Sequence, residues 1–234
     1  MKKLFSVVIL LTAALWNAGA QDLEITAGVD NMSSYLWRGM KIAPQDGKSA
    51  SLISMPELSA AYTVGDFSFE LGGCYYQQWA KEGYTETDLW GGVYYGNFGL
   101  TLTSYLNDMT EAALSYTLSE NIPLTFTWNL GIAGPSDLKF DGKRNWSSYI
   151  ELSYPYEFDF GLTLDAAVGA VPYSSIYYGT DKGFKLFNLS LAAGYEIALG
   201  ESFSIPLKAN YMYNPAWGEG FFAASAGLYY TFSL

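Results

Sequence analysis
Large apolar side chains alternate with small or polar ones along almost the whole chain, and this period of two limits what it can fold into. Leu124, Phe126, Trp128, Leu130 and Ile132 are apolar, while Thr125, Thr127, Asn129, Gly131 and Ala133 between them are small or polar. Phe158 to Val168 and Phe203 to Tyr213 repeat the pattern. Successive side chains of a β-strand point to opposite faces, so each segment is a strand with one apolar and one polar face. No helical stripe follows residue 20.

The alternation predicts twelve strands, near 23–37, 50–63, 67–79, 85–95, 98–106, 110–118, 123–133, 146–156, 158–171, 184–198, 203–213 and 221–233. Tight connections (Gly65-Asp66, Gly96-Asn97, Ser119 to Ile122, Glu157, Leu199 to Ser202) alternate with mostly longer ones at 38–49, 80–84, 107–109, 134–145, 172–183 and 214–220. Short turns at one end and longer loops at the other are the layout of a membrane-spanning barrel. The expected fold class is all-β, a transmembrane antiparallel up-and-down β-barrel of about 12 strands.

Composition and targeting separate this barrel from a soluble barrel or sandwich. Half of the 234 residues are hydrophobic and only 15% are charged, against about 25% charged in ordinary soluble domains. A spanning helix needs roughly 20 consecutive apolar residues, and the chain approaches that only at its start. There Lys2 and Lys3 precede an apolar stretch from Leu4 to Trp16, and Ala18-Gly19-Ala20 offers small residues for cleavage. Residues 1–20 are therefore expected to be a secretory signal peptide cut near Ala20, and 21–234 the barrel. Aromatics flank the tight turns, as in Tyr95/Phe98 and Tyr156/Phe158, in the manner of an interfacial girdle. The expected location is the outer membrane of a Gram-negative bacterium. Ser225, Gly227, Tyr230 and Phe232 in the last strand match the polar-x-Gly-x-x-aromatic-x-aromatic signal read by the barrel assembly machinery.

The formal charge is −11, and the few basic residues are unevenly placed. Lys41, Lys81, Lys139, Lys143, Arg144 and Lys182 fall in or beside the longer connections, where a basic rim would meet the phosphates of lipopolysaccharide. Strand parity puts Asp30, Glu57, Glu151, Asp165, Lys208 and Arg38 on the polar face, inside the barrel. A wet lumen solvates charges that lipid would exclude. Two functions follow. One is passive diffusion of ions or small polar solutes, with cations preferred by the carboxylates. The other is an occluded structural barrel, binding partners or lipopolysaccharide, in which Lys208 and Arg38 bridge the acids.

Catalysis is not expected. The chain has no histidine, so a serine nucleophile lacks its usual base, and the acids are spread over many strands without a pair singled out by spacing. With one cysteine and no histidine, no metal site and no cofactor is expected, and an acidic chain argues against nucleic acid.

The segment Ser33-Ser34-Tyr35-Leu36-Trp37-Arg38-Gly39 resembles the S-x-Y-x-W-R-G signature of the TorF-like family of porins, and the stretch from Ser51 to Tyr95 is similar in layout. The resemblance implies an outer-membrane barrel and channel, and brings no catalytic residues. It singles out Arg38 as a charge at the lumen rim, with Gly39 after it able to form a sharp bend.

Overall fold
The computed structural model describes residues 23–44, 51–139 and 141–233, so the signal-peptide expectation and Leu234 lie outside the described residues. Its strands, in chain order, are β1 (Leu23–Met32), β2 (Tyr35–Trp37), β3 (Met40–Ala43), β4 (Ile53–Val64), β5 (Phe67–Gln78), β6 (Thr85–Tyr95) and β7 (Phe98–Tyr105). They continue with β8 (Met109–Thr117), β9 (Thr125–Ala133), β10 (Ser148–Glu157), β11 (Leu162–Val171), β12 (Lys185–Leu199), β13 (Phe203–Asn214) and β14 (Glu219–Ser233). Twelve of them close into one antiparallel barrel: each strand from β4 to β14 pairs with the next, and β1 completes the ring between β14 and β4. Among the described residues β2 and β3 pair with each other and stand outside the wall.

The register carries the alternation around the ring, broken only by irregularities at Thr110/Glu111 and Gly169/Ala170; beside the second, Phe187 turns into the lumen cluster. Asp30 lies opposite Gly227 and Met55, Lys208 opposite Ser225 and Gly194, and Asp165 opposite Ala192 and Pro155. Small and polar residues therefore share the inner face, and the large apolar set faces out. Leu58, Leu71, Leu114 and Leu191 are 60%, 51%, 50% and 52% exposed. So much contiguous apolar surface would be an aggregation site in water, and it is the surface a barrel presents to lipid. At the tight-turn end, rings meet across strands: Phe67 with Tyr95 at 4.6 Å, Phe98 with Tyr116 at 4.8 Å, and Phe203 with Tyr230 at 4.7 Å. The C-terminal pattern lies on β14, with Ser225 and Gly227 facing inward and Tyr230 and Phe232 outward.

Two boundaries depart from the sequence expectation. The strand expected from residue 158, β11, begins at Leu162, because residues 158–161 form a turn in which the Phe158 carbonyl accepts from Gly161 N–H (2.8 Å). The first wall strand ends at Met32 instead of residue 37. Ser33 still bonds to β14, through its N–H to the Ala224 carbonyl and its Oγ to the Ala224 N–H. Beyond it the chain turns into the barrel and forms the β2–β3 hairpin. Tyr35 and Trp37 continue the outward parity of β1, so alternation alone reads them as girdle residues. They are pulled inward because the lumen offers matching aromatic surfaces. The buried apolar clusters are built on this hairpin: Met40 with Tyr149, Val171, Tyr178 and Phe187, and Tyr35 with Ala43 and Ile53.

Candidate functional site: a hairpin braced across the lumen
The hairpin tip is the dipeptide Arg38-Gly39, with φ of +48° and +85°. Positive φ at both central residues is the two-residue type I′ turn, whose twist suits a tight hairpin. Asparagine-glycine is the usual choice there, and an arginine in the left-handed region costs about 1–3 kcal/mol unless its surroundings hold it. Gly39 is needed twice. A Cβ there would be strained by φ and would lie 2.1 Å from the Phe187 carbonyl oxygen.

The surroundings of Arg38 supply the compensation. Its Nη1 and Nη2 donate to Oε2 and Oε1 of Glu111 at 2.6 and 2.7 Å, a bidentate pair. Nη2 also donates to Oδ1 of Asn129 (2.7 Å) and Nη1 to the Tyr178 hydroxyl (3.1 Å). The guanidinium lies 4.5 Å from the Trp37 ring centre and 4.9 Å from that of Tyr149. Glu111 is 3% exposed, and a bidentate arginine–carboxylate pair with filled outer positions is the arrangement in which a buried ion pair offsets its desolvation. Burial keeps the Tyr178 hydroxyl above the ordinary phenol range even though Arg38 opposes the shift, so the group is neutral.

In ring order β9 stands diametrically opposite β1. The hairpin leaves the wall at the end of β1 and its tip arginine bonds to β8 and β9, so it spans the lumen. Other contacts fix it on the remaining sides. Gly39 N–H points at Met212 Sδ (2.8 Å) on β13, and Asn214 Nδ2 donates to the Gly39 carbonyl (3.0 Å). Tyr35 stacks on Tyr76 of β5 at 4.1 Å and donates to Glu86 of β6 at 2.9 Å. Trp37 meets Tyr105 of β7 edge-on. On β10, the Tyr149 ring lies beneath the tip in space left by Gly169 of β11; a Cβ there would fall 1.9 Å from the Tyr149 hydroxyl.

The hairpin divides the lumen into a packed half and a wet half. On β13, Asn214 is fully buried near the loops while Lys208, further down the same face, is exposed. On β12 the change runs from Asn188 to Glu196, and on β11 from Gly169 to Asp165. Asp30, Glu57 and Asp165 line the wet half together with Lys208, which among the described residues is its one basic side chain. Glu151 marks the boundary, accepting from Tyr149 (2.5 Å) and from Asn188 Nδ2 (3.3 Å). Among the described residues Lys208 makes no ion pair with these acids. The bridging foreseen for Lys208 and Arg38 is therefore made by Arg38, and to Glu111.

Of the expected rim residues, Lys81, Lys139, Lys143 and Lys182 are exposed in loops, and Lys143 reaches Asp141 at 3.3 Å. Arg144 is turned onto the buried Asp137 (3.3 Å) and over the Trp146 ring. Lys41 belongs to β3, and its Nζ lies 5.8 Å from the ring of Phe221, near the loop end of β14. Sequence reasoning named none of Glu111, Asn129, Tyr149 and Tyr178 as a partner of Arg38. The signal available was Arg-Gly between two short aromatic segments, a hairpin tip where a loop was expected. Among the described residues no cluster of carboxylate and sulfur groups is suited to a metal ion.

No protein-family model and no curated protein matches the chain. Solved structures do match in shape. An outer membrane channel from Pseudomonas putida F1 superposes with a TM-score of 0.52 at 13% identity, covering 92% of this chain and 98% of that one. OmpF of Salmonella typhi, in complex with daunomycin, aligns over 91% of this chain and 98% of its own, at 10% identity and a TM-score of 0.39. The first likeness shows a shared fold, a closed antiparallel barrel.

Proposed function
We propose that the protein is an outer-membrane channel of a Gram-negative bacterium, passing ions or small polar solutes by diffusion with a preference for cations. The observation that carries this reading is the wet half of the lumen. It is a water-accessible chamber lined by Asp30, Glu57, Asp165 and Glu196 against the single base Lys208 among the described residues, enclosed by an apolar outer wall. Focused negative potential in a narrow conduit raises the local concentration of cations. The leader ending near Ala20, the last-strand pattern from Ser225 to Phe232, and the loop lysines Lys81, Lys139, Lys143 and Lys182 support delivery to the outer membrane and contact with lipopolysaccharide there. Membership of the TorF-like porins rests on the motif from Ser33 to Gly39, whose residues build the hairpin.

A second reading is favoured by the brace itself. A hairpin bonded to opposite walls describes an occluded barrel that opens only when Arg38 is released, or that serves a structural role. Conductance of the purified protein in a planar bilayer under a salt gradient separates the two. The channel reading expects steps from the native protein, with a cation-selective reversal potential that moves toward zero in Glu57→Gln/Asp165→Asn. A native protein that is silent, beside a Glu111→Ala variant that conducts, establishes occlusion. Conductance with unchanged ion preference in the double variant removes the role of the carboxylates.

A further inference from the structure
On the β6–β7 side the hairpin does not meet the wall completely, and a cavity of about 170 Å³ remains. At about 30 Å³ per water this is room for roughly six water-sized groups. Its walls are mainly aromatic: Tyr35 and Trp37 from the hairpin, Tyr84 from the connection before β6, Tyr105 from β7, and Tyr177 from the loop after β11. Met40 and Ile42 of the hairpin add apolar surface, and Glu86 and Asp108 supply carboxylates. We infer that this cavity is a binding site for a small organic cation of the alkylammonium class.

Three observations converge on that chemistry. Several ring faces and edges around one small volume are the arrangement that attracts a diffuse cation through the aromatic quadrupole. Three of the four tyrosine hydroxyls are turned onto the carboxylates: Tyr35 and Tyr84 donate to Glu86 at 2.9 and 2.5 Å, and Tyr177 donates to Asp108 at 3.1 Å. Each such bond pushes electron density into the ring and makes its face a better partner for positive charge. Lastly, the acids beside the cavity carry no ion pair among the described residues: Asp88 follows Glu86 on the same inward face, and no described lysine or arginine lies within ion-pair distance of Glu86, Asp88 or Asp108.

A neutral sugar suits the cavity less well. It needs donors as well as acceptors, and three of the four tyrosine hydroxyls in the lining are already committed to carboxylates. A metal ion would require oxygen ligands stripped of those same hydrogen bonds. An alkylammonium asks only for rings and a negative potential. The inference depends on the channel reading solely for the route by which the ligand arrives.

Calorimetric titration of tetramethylammonium chloride into the folded full chain in detergent, at low salt, tests it. Saturable binding at one site is expected, with potassium chloride and maltose giving no saturable heat. Asp108→Asn keeps the shape of the β7–β8 connection and removes a charge beside the cavity, so it should weaken binding by about tenfold or more. Trp37→Leu should weaken it with the charge intact. Heat-modified gel mobility confirms that each variant is folded. Absence of saturable binding to the native protein, equal affinity in the folded Asp108→Asn variant, or displacement by maltose would each overturn the assignment. Binding in detergent is read whether or not the protein conducts in a bilayer, so failure here is distinct from failure of the channel reading.

Discussion
Replacing Glu111 by alanine tests whether the ion pair at the hairpin tip holds the hairpin in the lumen. The change deletes both carboxylate oxygens that accept from Arg38, at 2.6 and 2.7 Å, and leaves the guanidinium with Asn129 and Tyr178. The Arg38 side chain is only 15% exposed, so an orphaned positive charge remains in a poorly hydrated place. Removing one partner of such a pair costs about 3–5 kcal/mol. At about 1.4 kcal/mol per decade, the docked-to-released ratio should fall by roughly two to three and a half orders of magnitude. The loss is local, because the ladder of the twelve wall strands does not pass through the hairpin. Trypsin provides the assay, since release exposes the bonds after Arg38 and Lys41. Cleavage there should be slow in the native protein and fast in Glu111→Ala, with an unchanged barrel by circular dichroism. Bilayer conductance should rise in parallel. The paired replacement Arg38→Met/Glu111→Leu leaves no unpaired charge and should release the hairpin less than either single change. Native resistance to trypsin in Glu111→Ala would refute the idea that this pair sets the hairpin's position.

Gly39→Ala should release the same hairpin by a steric route: the left-handed backbone costs about 1–2 kcal/mol, and the new Cβ must also clear the Phe187 carbonyl. Faster cleavage after Lys41 is the readout. Leu191→Arg places a charge on the lipid face and should lower the folding free energy in vesicles by about 2–4 kcal/mol in urea titrations, while Ser190→Arg, on the lumen face beside it, should cost clearly less. Asp137→Ala should loosen the loop from 134 to 147, because the buried carboxylate accepts from the Ser147 and Trp146 N–H groups at 2.7 and 3.1 Å. At about 1–3 kcal/mol for the unpaired groups, amide exchange in that loop should accelerate by roughly one to two decades while the strands keep their protection.

The wall of the barrel was legible because its information is local. A period of two, repeated between turn residues, states which side of each strand is apolar, and the closing register preserves that assignment around the ring except at the irregularities beside Glu111 and Ala170. Asp30, Glu57, Asp165 and Lys208 could be placed on the inner face from parity alone. The hairpin was not legible in the same way. Tyr35, Leu36 and Trp37 continue the alternation of β1, and nothing within that stretch tells an outward girdle from an inward strand. What distinguishes them is distant in sequence: Glu111, Asn129 and Tyr178, which bond Arg38, and Phe187 and Met212, which seat Gly39.

By itself, then, the sequence determined a strand meander of twelve staves, its two unlike ends and the chemistry of its two faces, since each follows from neighbours one or two residues apart. That the first long connection folds into the lumen, and that Arg38 is an internal brace instead of a rim charge, comes from long-range packing. Those outcomes depend on closing the ring. Until β1 meets both β14 and β4 there is no interior, and the carboxylate, amide and phenol that receive the arginine are not in one place.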